Sequence, residues 1–491
     1  MSKERSLFKL SIVFTLSIFL IGSECRAQFM ASTPISVTDG DDSFGKRSPK
    51  ISINGNGEPV VFWMRTGSSE AFFMSTLTST GFTAPLSIPF GTINPNLWSG
   101  SLGPSMASSG THMYVTFEVY GDAIYTVHSA DNGQTWDAPV AAFVPPQGRR
   151  ATIPNIACDS DGHPYVAYVN TNASEGDAHY GLVRSQDYGT TFLEESFVNE
   201  AADGAEVCEC CTGHIQVAPN GDVYVAFRNN DANLRDIWLA RSSDGGATFA
   251  SAFDMDETDW ISGVCPSNGP HFIVDENQLV SAFFSGSSAW GTGAYLSSLD
   301  LNGDMVSATQ AIPLSEETSS SQNYPRISGH GDTLAVVWQE LNNSSLDIAM
   351  AISVSGSEGL LTGSIVINAE PGTQNYPQLI FHDGLFHVVY EDAISGTVMY
   401  QEVTPGSVGL LENEVAVLEV FPNPSQGTFR LSSPLNQSAL MNVFDATGRS
   451  IHHERLSAGT AMLNLNNLGA GHYTLQVSTF EGSYQAQIII D

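Results

Sequence analysis

One pattern returns seven times between residues 45 and 405. A turn-breaking residue and a short apolar strand are followed by a β-rich quartet. The quartets occupy 60–63, 114–117, 165–168, 224–227, 281–284, 335–338 and 387–390. Ahead of them stand Pro49, Pro104, Pro154, His214, Pro270, Pro325 and Pro377, spaced 55, 50, 60, 56, 55 and 52 residues apart. Turns such as Asn54-Gly55-Asn56-Gly57 and Asn220-Gly221 separate the paired strands, as hairpins require. No helical periodicity competes. A period of 50–60 residues with four strands each predicts an all-β fold, a seven-bladed β-propeller. The last unit lacks an obvious fourth strand, and residues 33–38 are expected to supply it and close the ring.

Three units carry a sharper motif: Ser129-x-Asp131-x-Gly133-x-Thr135, Ser185-x-Asp187-x-Gly189-x-Thr191 and Ser242-x-Asp244-x-Gly246-x-Thr248, each followed by an aromatic residue. Ser and Asp side chains bond backbone amides of a turn, and Gly permits positive φ. On these motifs the chain resembles the Asp-box (BNR-repeat) propellers of the sialidase-like superfamily. The resemblance implies that Asp131, Asp187 and Asp244 are structural and lie opposite the functional face. Sialidases have six blades, so six is the alternative count.

Lys3, Arg5 and Lys9 precede an apolar run at 10–22 and a small-residue cleavage site before Gln28, which predicts a signal peptide over 1–27. The propeller is expected over 28–405 and a linker over 406–416. Residues 417–491 then form a small immunoglobulin-like β-sandwich of short strands between Asn, Pro and Gly turns. Here Phe421-Pro422-Asn423-Pro424, Asp445-Ala446-Thr447-Gly448-Arg449 and Leu468-Gly469-Ala470-Gly471-His472-Tyr473 resemble the type A sorting domain of the type IX (Por) secretion system of Bacteroidetes. That resemblance implies the secretion machinery as a partner and a secreted or cell-surface location.

Eighteen basic against 52 acidic residues leave a net charge of −34. Nucleic acid is excluded as a partner. No transmembrane segment is seen, and a monomer is expected. An acidic sugar could be held only where the few arginines gather.

Propeller geometry places the loops after the second strands, and the connections between blades, on one functional face. The residues brought there include Arg47, Arg149, Arg150, Arg228, Arg235, Tyr324, Arg326 and Glu340. Arg47, Arg149, Arg150, Arg228 and Arg235 are candidate ligand-binding residues, since guanidinium forks hold carboxylate or sulfate. Arg228, Arg235, Tyr324, Arg326 and Glu340 are candidates for catalysis. Cys208, Cys210 and Cys211 precede the fourth unit and Cys265 the fifth, so the two segments should meet. They could form a Cys208–Cys265 disulfide (or one from Cys210 or Cys211), or a zinc or copper site with His214 or His271.

The functional expectation is an exported propeller that binds or processes extracellular carbohydrate. Exo-sialidase, polysaccharide lyase and non-catalytic interaction module remain open. A carboxylate touching a Tyr beneath three arginines would mark hydrolysis, and Arg beside a His–Tyr pair elimination.

Overall fold

The computed structural model describes residues 29–38, 45–66, 71–97, 102–202, 206–288, 291–315, 319–342, 344–368, 372–405, 416–432, 434–435, 439–445, 450–479 and 482–491. The expected leader at 1–27 and nearly all of the expected linker lie outside the described residues.

Seven antiparallel sheets succeed one another along the chain before the tail, each running from an inner first strand outwards. The first strands of blades 1–7 are Lys46–Ile53, Ser105–Ser109, Arg149–Cys158, His214–Val217, His271–Val274, Ser319–His330 and Gln374–His382. The second strands are Pro59–Arg65, His112–Val119, Pro164–Asn172, Val223–Arg228, Gln278–Ser287, Thr333–Asn342 and Leu385–Asp392. A second strand is covered on both faces by neighbouring blades. This is why the quartets are continuous apolar runs instead of alternating ones. Val223–Arg228 is buried at every position.

Among the described residues each neighbouring pair of blades has its own apolar cluster, including the pair that joins the two ends of the repeat. That last cluster packs Val61 and Trp63 of blade 1 against Val389, Val398 and Tyr400 of blade 7, with Val37 between them. Met30–Ala31 and Ile35–Ser36 pair antiparallel with Thr397–Thr404, the third strand of blade 7. The N-terminal segment therefore supplies the missing outer strand, in two short pieces. The ring has seven blades, not six. One correction concerns blade 5. His271 pairs with Ala282, so the quartet equivalent to the others is 280–283, one residue earlier than 281–284.

The hairpin and outer turns follow local chemistry. Asn54 Oδ1 accepts the N–H groups of Asn56 and Glu58, both at 3.0 Å, and Gly57 takes φ 77°. In the three Ser-x-Asp-x-Gly-x-Thr turns the same bonds recur. Ser242 Oγ accepts the Gly246 N–H at 2.8 Å, and Asp244 Oδ1 and Oδ2 take the Thr248 N–H and hydroxyl at 2.9 and 2.7 Å. Asp131 and Asp187 make the matching bonds to Thr135 and Thr191. All three carboxyls are held below the usual range by these donors, and their groups are spent on the turns.

The tail forms a five-stranded and a three-stranded sheet around Phe429, Met441, Leu475 and Ile488, a small sandwich. Asn423, in the Phe-Pro-Asn-Pro motif, ties into the last strand by donating to the Gln487 carbonyl and accepting the Ile489 N–H.

Candidate functional site

Four first strands share an irregularity. Their pairing register breaks at 47/50, 152/155, 323/326 and 375/378, and a proline sits in each break. Proline has no N–H to give the ladder, so the strand bulges there. The residue before each proline, Ser48, Ile153, Tyr324 or Tyr376, adopts φ between 51° and 53°. This left-handed conformation is costly for a residue other than glycine, above all for β-branched Ile153. Acids and amides of the preceding blade hold three of the bulges. Glu391 accepts the Ser48 N–H at 2.6 Å, Glu118 the Ile153 N–H at 2.8 Å and Gln339 the Tyr376 N–H at 3.3 Å.

The bulges and the pairing register set one side chain from each blade at the same level of the inner strand. Lys50 pairs with Phe62, Ser105 with Thr116, Asn155 with Ala167, His214 with Ala226, His271 with Ala282, Arg326 with Val337 and Gln378 with Val389. These residues converge on the ring axis. The charges of Arg326 and Lys50 both act on His271, although Lys50 comes from blade 1 and is separated from His271 by two blades.

The layer presents donors. Arg326 is 5% exposed, and among the described residues its guanidinium makes one hydrogen bond, from Nη1 to the Pro325 carbonyl at 2.8 Å. Burial lowers its pKa to about 10. Burial, and then Arg326, push the Lys50 ammonium down to about 7 against the pull of Glu391. His214 and His271 stack with ring centroids 3.8 Å apart. Their Nδ1 atoms accept the backbone N–H groups of Phe272 and Ile327. Burial brings His214 down to about 3, and burial, His214 and Arg326 hold His271 well below its ordinary value. Both rings are therefore neutral, with the proton on Nε2. Beside this layer Tyr324 and Tyr376 meet edge to face at 4.8 Å, close enough for each hydroxyl to act on the other. Burial pushes Tyr324 up; burial, Tyr324 and Glu391 push Tyr376 up to about 12. Arg47 lies near enough to act on Tyr376 and Glu391.

Of the expected site residues, the ring gathers Tyr324, Arg326, His214 and His271, with Arg47 beside them. Lys50 was missed in the sequence, although it follows Pro49 just as Arg326 follows Pro325. Five other candidate residues are corrected. Arg228 is fully buried and donates to the carbonyls of Asn268, Arg235 and Phe284, with its guanidinium over the Trp260 ring. Arg235 is 5% exposed and donates to the Ser262 carbonyl and to Cys208 Sγ. Neither reaches the mouth as an anion clamp. Glu340 is fully buried and takes the N–H and hydroxyl of Ser315, the hydroxyl of Ser319 and the Trp338 indole N–H, so its carboxylate is engaged inside the fold and not presented to a substrate. Arg149 is engaged by Asn170, Asp177 and His179 of its own blade, and Arg150 pairs with Glu175 over the Tyr120 ring.

The cysteines do meet. Cys210 and Cys265 form the disulfide, with Cα atoms 6.5 Å apart, in place of the Cys208–Cys265 pair. Cys208 and Cys211 keep free thiols, and all four sulfurs lie within 4.8 Å of one another. Neither histidine joins that group. The Cys211 thiol titrates low: burial opposes ionisation, but the Cys208 thiol, Arg228, the Asn268 N–H and Arg235 outweigh it.

Residues 419–491 match the family model of the secretion system C-terminal sorting domain. The chain is thus exported by the type IX route, to the cell surface or the extracellular space. No helix of the described residues is long and apolar enough to cross a membrane. No curated protein matches the chain. Among solved structures, it is similar to a protein of unknown function from Dyadobacter fermentans (14% identity, TM-score 0.47, 77% of this chain and 99% of that one). It is also similar to an alpha-L-arabinanase from Penicillium chrysogenum (13%, 0.39, 72% and 97%) and to an ulvan lyase (10%, 0.41, 82% and 94%). The fold assignment stands on the sheets of this chain, and such distant likenesses carry no chemistry over to it.

Proposed function

We propose that the chain is an exported propeller that binds acidic extracellular carbohydrate, its carboxylate or sulfate held at the ring axis by Arg326 and Lys50. One observation carries this reading: in a chain of net charge −34, the layer of seven inner residues has two cations and no carboxylate. A buried guanidinium with unspent N–H groups favours a planar or tetrahedral oxyanion. The histidine Nε2–H groups and the amides of Asn155 and Gln378 would add neutral donors, and the Tyr324–Tyr376 pair an aromatic edge against a sugar ring. The three Ser-x-Asp-x-Gly-x-Thr turns support a place among the Asp-box sialidase-like propellers.

Binding is put ahead of hydrolysis or elimination because the axial layer holds no carboxylate nucleophile, although Lys50, near the middle of its titration at neutral pH, is a group that could take a proton. Both tyrosines are held neutral, both histidines carry their proton on the atom left for a ligand, and Glu391 and Glu340 are bonded within the fold. Calorimetric titration with sialylated, uronate-containing and sulfated oligosaccharides, beside neutral ones, tests this. Acidic sugars should bind, and Arg326→Met should weaken them about tenfold or more, the scale of a lost charge-assisted bond. Equal affinity for neutral sugars, or an indifferent Arg326→Met variant, would sink the reading.

A further inference from the structure

The sulfur cluster joins the connections leading into blades 4 and 5; Cys211 lies near enough to act on Tyr324, but no sulfur takes part in the binding proposed above. Two features of it are unusual together. Four cysteine sulfurs lie within 4.8 Å of one another, Cys208 and Cys210 at 3.6 Å. Beside them are two buried guanidiniums, Arg228 and Arg235, and among the described residues neither has a carboxylate within ion-pairing distance. A charge taken out of water without a counter-charge is strongly disfavoured. The buried Asp256 carboxylate acts on Arg228 from beyond ion-pairing distance, while the group that Arg235 touches is the Cys208 sulfur, so thiolates would be the anions in direct contact with this pair.

We propose that Cys208, Cys210, Cys211 and Cys265 form a closed tetrathiolate zinc site that staples the connections leading into blades 4 and 5. A tetrahedron with zinc–sulfur bonds of about 2.3 Å has sulfur–sulfur edges of about 3.8 Å, close to the Cys208–Cys210 separation. Four thiolates around Zn(II) carry two negative charges, which match the two guanidiniums. A disulfide with two thiols carries none. The sulfurs also receive the N–H donors that usually surround such a centre. Arg235 Nη1 is 3.2 Å from Cys208 Sγ and the Ser267 N–H 3.4 Å from Cys265 Sγ. Sulfur ligands only, with no position left for water, make the site structural and suit zinc.

The disulfide and the metal site are alternatives. A dithiol reduces the Cys210–Cys265 bond with two electrons and two protons and itself becomes a cyclic disulfide. Zn(II) then displaces four thiol protons, two from the new thiols and two from Cys208 and Cys211.

The test uses the full chain, reduced with a dithiol, desalted without oxygen and titrated with Co(II) and then Zn(II). One equivalent of cobalt should produce thiolate charge-transfer absorption and the visible bands of a tetrahedral ion, and zinc should abolish them. Zinc should also raise the unfolding temperature of the reduced protein. Cys208→Ser should remove the cobalt bands, whereas Cys158→Ser should leave them intact. If the cysteine variant does not fold, Arg235→Met reads the same site, with zinc affinity falling about 10–100-fold. The proposal is overturned if reduced wild-type protein gives no stoichiometric thiolate band. It is equally overturned if copper(I) is taken up while zinc is refused, or if zinc binding survives both Cys208→Ser and Arg235→Met.

Discussion

Lys50 and Arg326 occupy one layer, burial makes both harder to charge, and Arg326 adds to the effect on Lys50. Arginine keeps its proton under that strain, while lysine is left near the middle of its titration at neutral pH. An incoming carboxylate or sulfate would restore the Lys50 proton. Affinity for acidic sugars should therefore be highest below pH 7 and fall above it, by at most about tenfold per pH unit for one linked proton. In Lys50→Met the binding should be weaker and flat across the same range, and a wild-type profile already flat from pH 6 to 8 would show that Lys50 takes no part. The unliganded fold has the opposite dependence. Lys50 binds its proton less readily folded, at about 7, than at its ordinary 10.5, so its contribution to stability is present above pH 10.5 and is lost as pH falls through 7. Arg228 and Arg326 show why a single arginine gives so little away in a sequence. Both end or interrupt apolar strands, yet one is locked among carbonyls and the other faces the axis. Strand register decides between them.

Among elements, the blade is set by short-range chemistry and its neighbours by apolar cover. The Ser-x-Asp-x-Gly-x-Thr turns were legible because all of their bonds fall within seven residues. Ser242 is buried in its turn, and Ser242→Ala would leave the buried Gly246 N–H without an acceptor. A loss of about 1–3 kcal/mol of stability is expected, measured by chemical denaturation, with saccharide binding unchanged because the turn lies on the far side of the blade. Weakened binding at undiminished stability would contradict that separation. The binding layer was far less legible. Its members are single residues some 50–60 positions apart; six of the seven directly follow the prolines that open the units, but Lys, Ser, Asn, His, His, Arg and Gln share no chemistry that would mark them as one layer. In four blades a pre-proline bulge brings the residue to this level, and positive φ at Ser48, Ile153, Tyr324 and Tyr376 is invisible until the backbone is known. The cysteines were readable as neighbours from blade order, but not their pairing, because three of them lie within four residues.

For the whole molecule, closure is the property on which the axis depends, and it rests on a short N-terminal segment. Without Met30–Ala31 and Ile35–Ser36, the strand Thr397–Thr404 would be an open edge, free to pair with another chain. Val37 sits in the only cluster joining blades 7 and 1 among the described residues, 3% exposed against Trp63 and Tyr400. Val37→Ala should cost about 2 kcal/mol, on the scale of buried aliphatic truncations. Removing residues 29–38 should do more, lowering the unfolding temperature further and causing concentration-dependent association as the edge is exposed. Saccharide binding should fail together with closure, because Lys50 comes from blade 1 and Arg326 from blade 6, and blade 7 alone spans the gap between them. A shortened chain that stayed monomeric, unfolded at the wild-type temperature and bound acidic sugar normally would show that the ring is held by its other six interfaces and needs no strap.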